Sequence, residues 1–408
     1  MDIHHTIAFI PAALICAFVA LATAIAMNPL VILLAFKKHL TDNPNYRKLQ
    51  KKPVPVVGGM SVYMSFVVGL FFCNIFYPTD RLYVVVAALS IMFFLGLFDD
   101  QLDLDYKLKF LVQFGVIFML WTFGYRIDTF VGLFGVTHIP MLWSCLLSMF
   151  VGVGLMNALN MIDGVDGLAS GLGIITCSIC GVYFITHQDP LFALLSLVFV
   201  GALIPFFICN VFSRKYKMFI GDAGSLIMGT LAYVFTCRII HTRHMDWNDQ
   251  YCVAMMCAIY ALPVFDTVRV MTMRMLHGNS PFKPDRTHLH HTFVDLGYPH
   301  IRITSILLFI NILVIGVWYI TSIFMDSING QFFVVIGAAL VLVPGLYFVL
   351  EMIISKKPEL FSKIKTHTTH VRKRTTSFRG KVCDLIDGGW RRRRFVRKAK
   401  EKAAAIQP

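Results

Sequence analysis

Long apolar runs alternate with short polar segments along nearly the whole chain. Runs long enough to cross about 30 Å of hydrocarbon lie near residues 8–36, 58–78, 83–98, 108–125, 141–160, 168–186, 190–209, 223–241, 251–276, 303–325 and 332–354. This pattern predicts an all-α polytopic membrane protein of about eleven transmembrane helices, with its termini on opposite sides of the bilayer. The first run is too long for a cleaved signal peptide and is typical of a retained anchor.

Composition and charge refine this picture. Charged residues make up 15% of the chain, whereas a soluble domain has roughly 25%. The net charge of +14 comes mainly from residues 355–408, which hold 17 Lys or Arg against four acids. We therefore expect a transmembrane domain over 1–354 and a basic cytoplasmic tail over 355–408, partly disordered or bound to anionic lipids at the membrane surface. Nucleic-acid binding is not expected, because no binding module accompanies the tail.

The remaining basic residues orient the predicted bundle. Segments that follow the first, third, fifth, seventh and ninth runs carry sixteen Lys or Arg, against four on the other side. The positive-inside rule makes the richer side cytoplasmic. Polar, glycine-rich and histidine-rich segments follow the same odd-numbered runs, so the sequence predicts catalytic loops on one cytoplasmic face.

The segment 157–168, N-A-L-N-M-I-D-G-V-D-G-L, marks the junction between the fifth and sixth runs. Asn157, Asn160, Asp163 and Asp166 recur at every third position, which would place them along one side of a helical turn. Two carboxylates and two amides beside a bilayer are costly unless they hold a charged group. A hard divalent cation that itself holds phosphates fits this need, whereas a simple helix cap requires only one such residue.

A second acidic segment follows the third run. Asp99, Asp100 and Asp103 lie there, and Lys109 comes shortly after. Adjacent carboxylates raise each other's pKa unless a cation lies between them, so one can act as a base while the other orients a metal or a lysine. Lys109 is a point charge suited to phosphate. Solvated acids at a helix end are the alternative interpretation.

Glycines accompany the next candidate site. Gly221 and Asp222 directly precede the eighth run, where Asp222 can bind a metal and the amides beyond it can face anionic oxygens. Phe219 offers a flat surface for a base, and a simple N-cap is the alternative. Before the second run, Gly58 and Gly59 follow a proline-rich segment and permit close backbone approach.

The ninth run and its loop complete the set. Pro263 suggests a break in this run, and Asp266 and Arg269 are spaced for an ion pair that we interpret as structural. The loop over 281–291 contains Arg286 and three histidines, a dense donor set for a pyrophosphate. The histidines are His288, His290 and His291. A zinc site is the rival interpretation, but no cysteine accompanies it.

Five motifs, in order, resemble the polyprenyl-phosphate N-acetylhexosamine-1-phosphate transferase family between about Asp42 and Tyr298. They are P-x-x-G-G, D-D-x-x-D, N-x-x-N-x-x-D-G-x-D-G-L, G-D-x-G-S and H-x-H-H. The segment 284–291 is more similar to bacterial enzymes that use UDP-N-acetylglucosamine than to the UDP-muramoyl-pentapeptide branch. Gln50 departs from the family, where many members have a histidine. The resemblance implies an enzyme of the bacterial inner membrane that initiates a cell-envelope glycan such as O-antigen.

The resemblance also implies a role for each site residue. The catalytic residues would be Asp99, Asp100, Asp163 and Asp222, with Asp99 activating or positioning the lipid phosphate and Asp103 supporting the site. Mg²⁺, or Mn²⁺ in its place, would be held by Asp222, Asn160 and Asp163. The substrate-binding residues would be Lys109, His290 and His291 for phosphates, Asp166 and Phe219 for uracil, Arg286 and His288 for the sugar, and Asn157.

The implied reaction moves N-acetylhexosamine-1-phosphate, with GlcNAc-1-phosphate as the first choice, from a UDP-sugar to undecaprenyl phosphate and releases UMP. Mg²⁺ and cationic side chains would offset charge on the phosphoryl oxygens. A covalent aspartyl-phosphate route and a homodimer are retained as alternatives. A transporter of an anionic solute is the rival class, but transporters bind substrate near the midplane, and these acids cluster at one face. A scaffold that acts through the tail is the third hypothesis.

Overall fold

The computed structural model describes residues 3–38, 40–42, 53–79, 82–241, 251–281 and 286–389. These segments are almost entirely helical. The α-helices are α1 (Ile3–Lys38), α2 (Gly58–Cys73), α3 (Tyr83–Leu102), α4 (Tyr106–Thr122), α5 (Met141–Met161), α6 (Leu168–Thr186), α7 (Pro190–Phe212), α8 (Gly221–His241), α9 (Cys252–Ile259), α10 (Ala261–Leu276), α11 (Leu289–Asp295), α12 (His300–Phe324), α13 (Ile328–Leu340), α14 (Leu346–Lys356) and α15 (Pro358–Gly389). Two short strands, β1 (Thr41–Asp42) and β2 (Val54–Pro55), pair antiparallel.

The prediction of an all-α polytopic membrane protein is confirmed. Within the described segments, eight helices are long and apolar enough to cross a membrane, or nine if α9 and α10 form one span. The two other predicted runs form α2 and α4, of 16 and 17 residues, which are shorter than the roughly 20 residues of a typical span. The total of eleven spans therefore stays a prediction.

The predicted break in the ninth run is present. Helices α9 and α10 meet at 70°, and the bend lies at Tyr260, before Pro263. Backbone groups at such a bend need partners inside a membrane. Asn311 of α12 supplies two of them, because its side chain donates to the carbonyl of Ile259 (3.0 Å) and accepts from the amide of Leu262 (2.9 Å).

The described residues form two compact units. The first lies within Met1–Val116, Ala169–Leu231 and Phe378–Pro408. Helices α1, α2 and α7 pack together there, and small residues permit their close contact. A Cβ added at Gly201 of α7 would lie 2.2 Å from the carbonyl oxygen of Ala17 in α1. A larger residue at 201 would therefore separate the two helices.

The second unit lies within Ile117–Leu168 and Ala232–Ser377. Its core is built from small and β-branched residues where α9, the start of α10, α12 and α13 meet. The buried members are Ala254, Ala258, Ala261, Val314, Val335 and Ala339. Alanine at the contact lets helix axes approach closely, as is common in membrane bundles.

The tail begins as an ordered helix, α15. Within the second unit, the buried Thr368 donates to the carbonyl of Leu296 (3.0 Å). Within the first unit, Asp387 accepts hydrogen bonds from the hydroxyl of Ser213 (2.7 Å) and the amide of Arg214 (3.2 Å). Residues 390–408, which contain the basic run 391–394, lie outside the described residues, and association of the tail with anionic lipids stays a prediction.

Candidate active site

Three predicted catalytic carboxylates converge in the first unit. Asp99 and Asp100 lie in the last turn of α3, and Asp222 lies in the first turn of α8. The Lys109 ammonium, from α4, forms an ion pair with Asp99 and lies 3.9 Å from the carboxylate of Asp222. The amide of Leu104 also donates to Asp99 (2.9 Å). The structure therefore brings Asp99, Asp222 and Lys109 into one charged cluster.

Asp100 has a different task. Its carboxylate accepts hydrogen bonds from the amides of Asp222 (2.9 Å) and Ala223 (3.2 Å). A carboxylate at a helix N-terminus satisfies amides that have no partner within the helix and complements the helix dipole. The amides expected to face anionic oxygens thus already bind an anion from the protein itself. The cap of α8 comes from α3, whereas the sequence suggested only a local cap.

Glycines hold the backbones around this cluster together. The close approach predicted for Gly58 and Gly59 is confirmed, because their amides donate to the carbonyls of Phe219 and Ile220, each at 2.8 Å. A Cβ added at Gly96 of α3 would lie 2.3–2.5 Å from backbone atoms of residues 222 and 223. The carboxylates of α3 can therefore reach the start of α8 only because residue 96 has no side chain.

Phe219 is held at the edge of the same cluster. Its amide donates to the carbonyl of Pro55 (2.9 Å), and its ring is half-buried, with the ammonium of Lys217 5.6 Å from the ring centroid. The backbone of Phe219 is thus fixed by pairing with the segment before α2. Its predicted contact with uracil stays a prediction.

The second unit holds the segment after α5, which differs from the sequence expectation. Asn157 and Asn160 lie on the last turns of α5, but the helix ends at Met161. Asp163 and Asp166 lie in the tight turns that follow, where the amide of Asp163 donates to the carbonyl of Asn160 (3.2 Å). The prediction of one helical side is therefore correct for the two amides and wrong for the two carboxylates, because the helix ends before them.

Asp166 has a partner that the sequence did not reveal. Its buried carboxylate lies 3.2 Å from Nδ1 of His300, the first residue of α12. Thr304, one turn further along α12, donates to the carbonyl of Asp166 (2.7 Å). No spacing rule connects positions 134 residues apart, so sequence patterns could not indicate this contact.

The histidines lie at the start of α11 in the same unit. His290 is 1% exposed, and a Cβ added at Gly164 would lie 2.1 Å from its Nε2 atom. The ring centroids of His288 and His290 are 5.6 Å apart, and those of His290 and His291 are 4.2 Å apart. Among the described residues, neither nitrogen of His290 has a hydrogen-bond partner. An unpaired buried donor is costly, so this position favours an acceptor supplied by a ligand.

His290 and His291 are neutral donors rather than cations. Burial lowers the pKa of His290 well below its usual value, and the neighbouring His291 and His288 lower it further. Burial and the charge of Arg286 lower the pKa of His291 to about 4. Among the described residues of this loop, Arg286 carries a positive charge; it is exposed and lies 3.5 Å from the carboxylate of Asp295.

The lowered pKa values predict an acid-sensitive fold. In the unfolded chain a histidine has a pKa of about 6.5, whereas His291 in the folded protein has a pKa of about 4. Between these pH values the unfolded state binds more protons, so stability falls as the pH falls. We expect the apparent Tm of the purified protein to drop more steeply between pH 7.5 and 5 than that of His291→Gln. His277→Gln, at an exposed histidine, should match the wild-type slope; equal slopes for the wild type and His291→Gln would contradict the assignment.

The donor chemistry of both units suits a hard divalent cation. No group of three His, Cys, Asp or Glu side chains is assembled as a metal site within the described residues. In the first unit, Lys109 already holds a positive charge between Asp99 and Asp222, and the side chain of Asp222 is 31% exposed. In the second unit, Asn160 and Asp163 are half-buried. Carboxylate and amide oxygens are the ligands that Mg²⁺ prefers, so the residue types fit this ion.

Comparison with known proteins identifies a family and several relatives of the chain. A model of glycosyl transferase family 4 matches residues 82–240, which include the acidic segments of both units. A probable undecaprenyl-phosphate N-acetylglucosaminyl 1-phosphate transferase of Bacillus subtilis is 30% identical over 283 residues, 69% of this chain and 77% of the relative. Undecaprenyl-phosphate alpha-N-acetylglucosaminyl 1-phosphate transferases are 31% identical in Yersinia pestis and 30% identical in Escherichia coli K12. These two alignments cover 65% of this chain and 72% and 71% of the relatives.

The family model and the names of these relatives indicate the class of a membrane phosphoglycosyltransferase. The chain belongs to glycosyl transferase family 4. The resemblance drawn from the five motifs is thereby confirmed, and a transporter is not favoured.

Proposed function

We propose that the protein transfers GlcNAc-1-phosphate from UDP-GlcNAc to undecaprenyl phosphate and releases UMP, at the cytoplasmic face of the bacterial inner membrane. The observation that carries this proposal is the Asp99–Lys109–Asp222 cluster at the ends of apolar helices. The names of the relatives support the donor and the acceptor. The sixteen-to-four bias of basic residues supports the cytoplasmic side.

The reaction requires one bond to form and one to break. An oxygen of the lipid phosphate attacks the sugar-bound phosphorus, and the bond from that phosphorus to the oxygen of UMP breaks. A phosphate monoester has a second pKa of about 6, so the lipid phosphate is already largely dianionic at neutral pH. Asp99 therefore acts chiefly by orienting the Lys109 ammonium toward phosphate oxygens, and proton removal is secondary.

In the first unit the proposed metal role falls on Asp222. In the second unit Asn160 and Asp163 are the proposed oxygen ligands. A bound Mg²⁺ would neutralise part of the negative charge on the phosphoryl oxygens. Asp100 does not need to bind the metal, because its carboxylate already accepts two amides of α8. Its contribution is to fix the backbone that carries Asp222.

Residues of the second unit bind the nucleotide sugar in this proposal. His290 and His291 donate hydrogen bonds to phosphate oxygens as neutral imidazoles, which agrees with the unpartnered nitrogens of His290 among the described residues. The roles by substrate group are Asp166 for uracil, Arg286 with His288 for the sugar, and Asn157 for the adjoining part of the nucleotide. Phe219 belongs to the first unit, where its proposed role is a contact with uracil. Binding of anionic lipids by the basic tail is a further part of this proposal.

The decisive experiment measures UMP release by the purified protein in detergent. We expect release only when undecaprenyl phosphate, Mg²⁺ and UDP-GlcNAc are all present, with Mn²⁺ as a substitute and EDTA abolishing turnover. UDP-GalNAc, UDP-glucose and UDP-muramoyl-pentapeptide serve as matched donors that test the sugar. Repeated turnover, with UMP released in excess over the enzyme, in the absence of lipid would contradict the proposal, as would no UMP release with any donor. Incubation with the labelled nucleotide sugar alone tests the aspartyl-phosphate route, which predicts a phosphorylated protein.

A further inference from the structure

A buried ion pair on α10 contacts residues 287–289 of the histidine segment, the name used here for residues 287–291. Asp266 and Arg269, one turn apart on α10, are 2% and 5% exposed, and Nη2 of Arg269 lies 2.6 Å from Oδ1 of Asp266. Burying such a pair costs desolvation that its attraction rarely exceeds, so stability alone is a weak reason for its presence. Ionisable residues in membrane helices more often serve function.

The carboxylate of Asp266 accepts hydrogen bonds from Arg269 and from two residues of the histidine segment. It accepts hydrogen bonds from Nδ1 of His288 (2.9 Å) and from the amide of Leu289 (3.2 Å to each oxygen), in addition to those from Arg269. A carboxylate has about four acceptor positions, and these donors fill them. Because Leu289 is the first residue of α11, Asp266 also supplies a partner for one of the free amides at the start of that helix.

Arg269 fixes the other side of the same segment. Its Nη2 atom donates to the carbonyl of Thr287 (2.7 Å), directly before His288. Its guanidinium carbon lies 3.5 Å from the centroid of the Tyr347 ring, on α14, a position suited to a cation–π contact. Residues 287–289 are therefore held through both their backbone and one side chain by the ion pair of α10.

The contact with Asp266 also decides which proton His288 carries. Nδ1 faces a carboxylate, so it must be the protonated nitrogen, and Nε2 is the atom that remains for another partner. The ring of His288 lies nearly parallel to that of His290, at 16° between planes, so the orientation of the first ring constrains the second.

We infer that Asp266 is a positioning residue, which holds His288 with its proton on Nδ1 and orients the start of α11 so that Nε2 of His288 and the ring of His290 face the anionic substrate. Carboxylates that orient a histidine through Nδ1 are a general device for fixing its tautomer. This inference rests on the proposed function, because it takes the histidines as substrate-binding groups.

Asp266→Asn tests the inference, because it keeps the volume and removes the charge and two acceptor positions. We expect kcat to fall by about 10²-fold, with a smaller change in the KM for UDP-GlcNAc and an altered acid limb of the pH profile of kcat. Asp266→Glu, which keeps the charge but moves the carboxylate, should also lose activity. It serves as the second variant should the Asn variant fail to fold.

The matched control is Asp128→Asn, in the loop between α4 and α5. Asp128 likewise pairs with an arginine and a histidine, Arg126 and His241, each at 2.8 Å, but neither contacts α11 in the described structure. This variant should keep the wild-type kcat and pH profile.

A double-mutant cycle of Asp266→Asn with His288→Gln is the most specific test. If Asp266 acts through His288, replacing Asp266 should cause little further loss of kcat once His288 has been replaced.

The outcomes separate the two proposals. Wild-type UMP release with an unchanged kcat and pH profile in a folded Asp266→Asn variant would overturn the positioning role and leave the proposed function intact. Additive losses in the double variant would also overturn it. Should the wild type release no UMP, binding of UDP-GlcNAc measured calorimetrically on the same variants still decides whether Asp266 acts through His288.

Discussion

Asp222→Ala should abolish metal-dependent turnover and leave the protein folded. Asp222 has a side chain that is 31% exposed and lies 3.9 Å from Lys109, so its removal leaves the ion pair between Lys109 and Asp99 in place. Loss of one preorganised electrostatic contact to a developing charge costs about 10²–10³-fold in kcat. Loss of a metal ligand adds to this, and we expect at least about 10³-fold. The measurement is UMP release against Mg²⁺ concentration.

The controls for this variant separate charge from structure. Asp222→Asn should lose activity similarly, because it keeps the volume and removes the carboxylate. Asp189→Ala is the matched control, since Asp189 caps α7 through the amide of Phe192 and lies on the side predicted to face away from the cytoplasm. It should lose about 1 kcal/mol of stability and retain kcat. Normal Mg²⁺-dependent turnover in Asp222→Ala would contradict the metal assignment.

Local patterns in the sequence were sufficient to predict the helices and the polar segments between them. Transmembrane helices satisfy their own backbone hydrogen bonds, so a helix over a run such as 190–209 can be predicted without knowledge of its neighbours. The observed helix α7 (Pro190–Phe212) covers this run. The ion pair of Asp266 with Arg269 was equally readable, because residues three apart on a helix are adjacent. Close backbone approach at Gly58 and Gly59 could be predicted since glycine alone permits it.

Contacts between distant segments were not predictable from these patterns. The carboxylate of Asp100 caps α8, 122 positions away, although the adjacent acids suggested a base beside a group that orients a metal or a lysine. His300 contacts Asp166 across 134 positions. The spacing of polar residues also misled at Asp163, because it continues past Met161, where α5 ends. The failures at Asp100 and Asp166 concern partners whose identity is set by tertiary packing and not by local spacing.

Gly96→Ala should have the second largest effect on turnover, although glycine has no side chain that could take part in the reaction. A Cβ at position 96 would lie 2.3 Å from the amide nitrogen of Ala223 and 2.5 Å from the carbonyl carbon of Asp222. Ordinary carbon contacts lie near 3.5 Å, so α3 and the start of α8 must separate by about 1 Å. The hydrogen bond from the amide of Asp222 to Asp100, now 2.9 Å, would then exceed hydrogen-bonding distance.

Such a shift moves Asp222 relative to Asp99 and Lys109, and a misplacement of about 1 Å costs on the order of 10²-fold in rate. Overpacking should also lower stability by about 1–3 kcal/mol, which a thermal-unfolding measurement would detect as a lower apparent Tm. Gly115→Ala is the matched control, because it lies on α4, the helix that carries Lys109, and its added Cβ meets no atom within 4 Å. It should retain both kcat and Tm. Equal activity of the two variants would show that the contact between α3 and α8 does not set the geometry of the carboxylates, and Asp99 and Asp222 would then have to be positioned by their ion pairs with Lys109 alone.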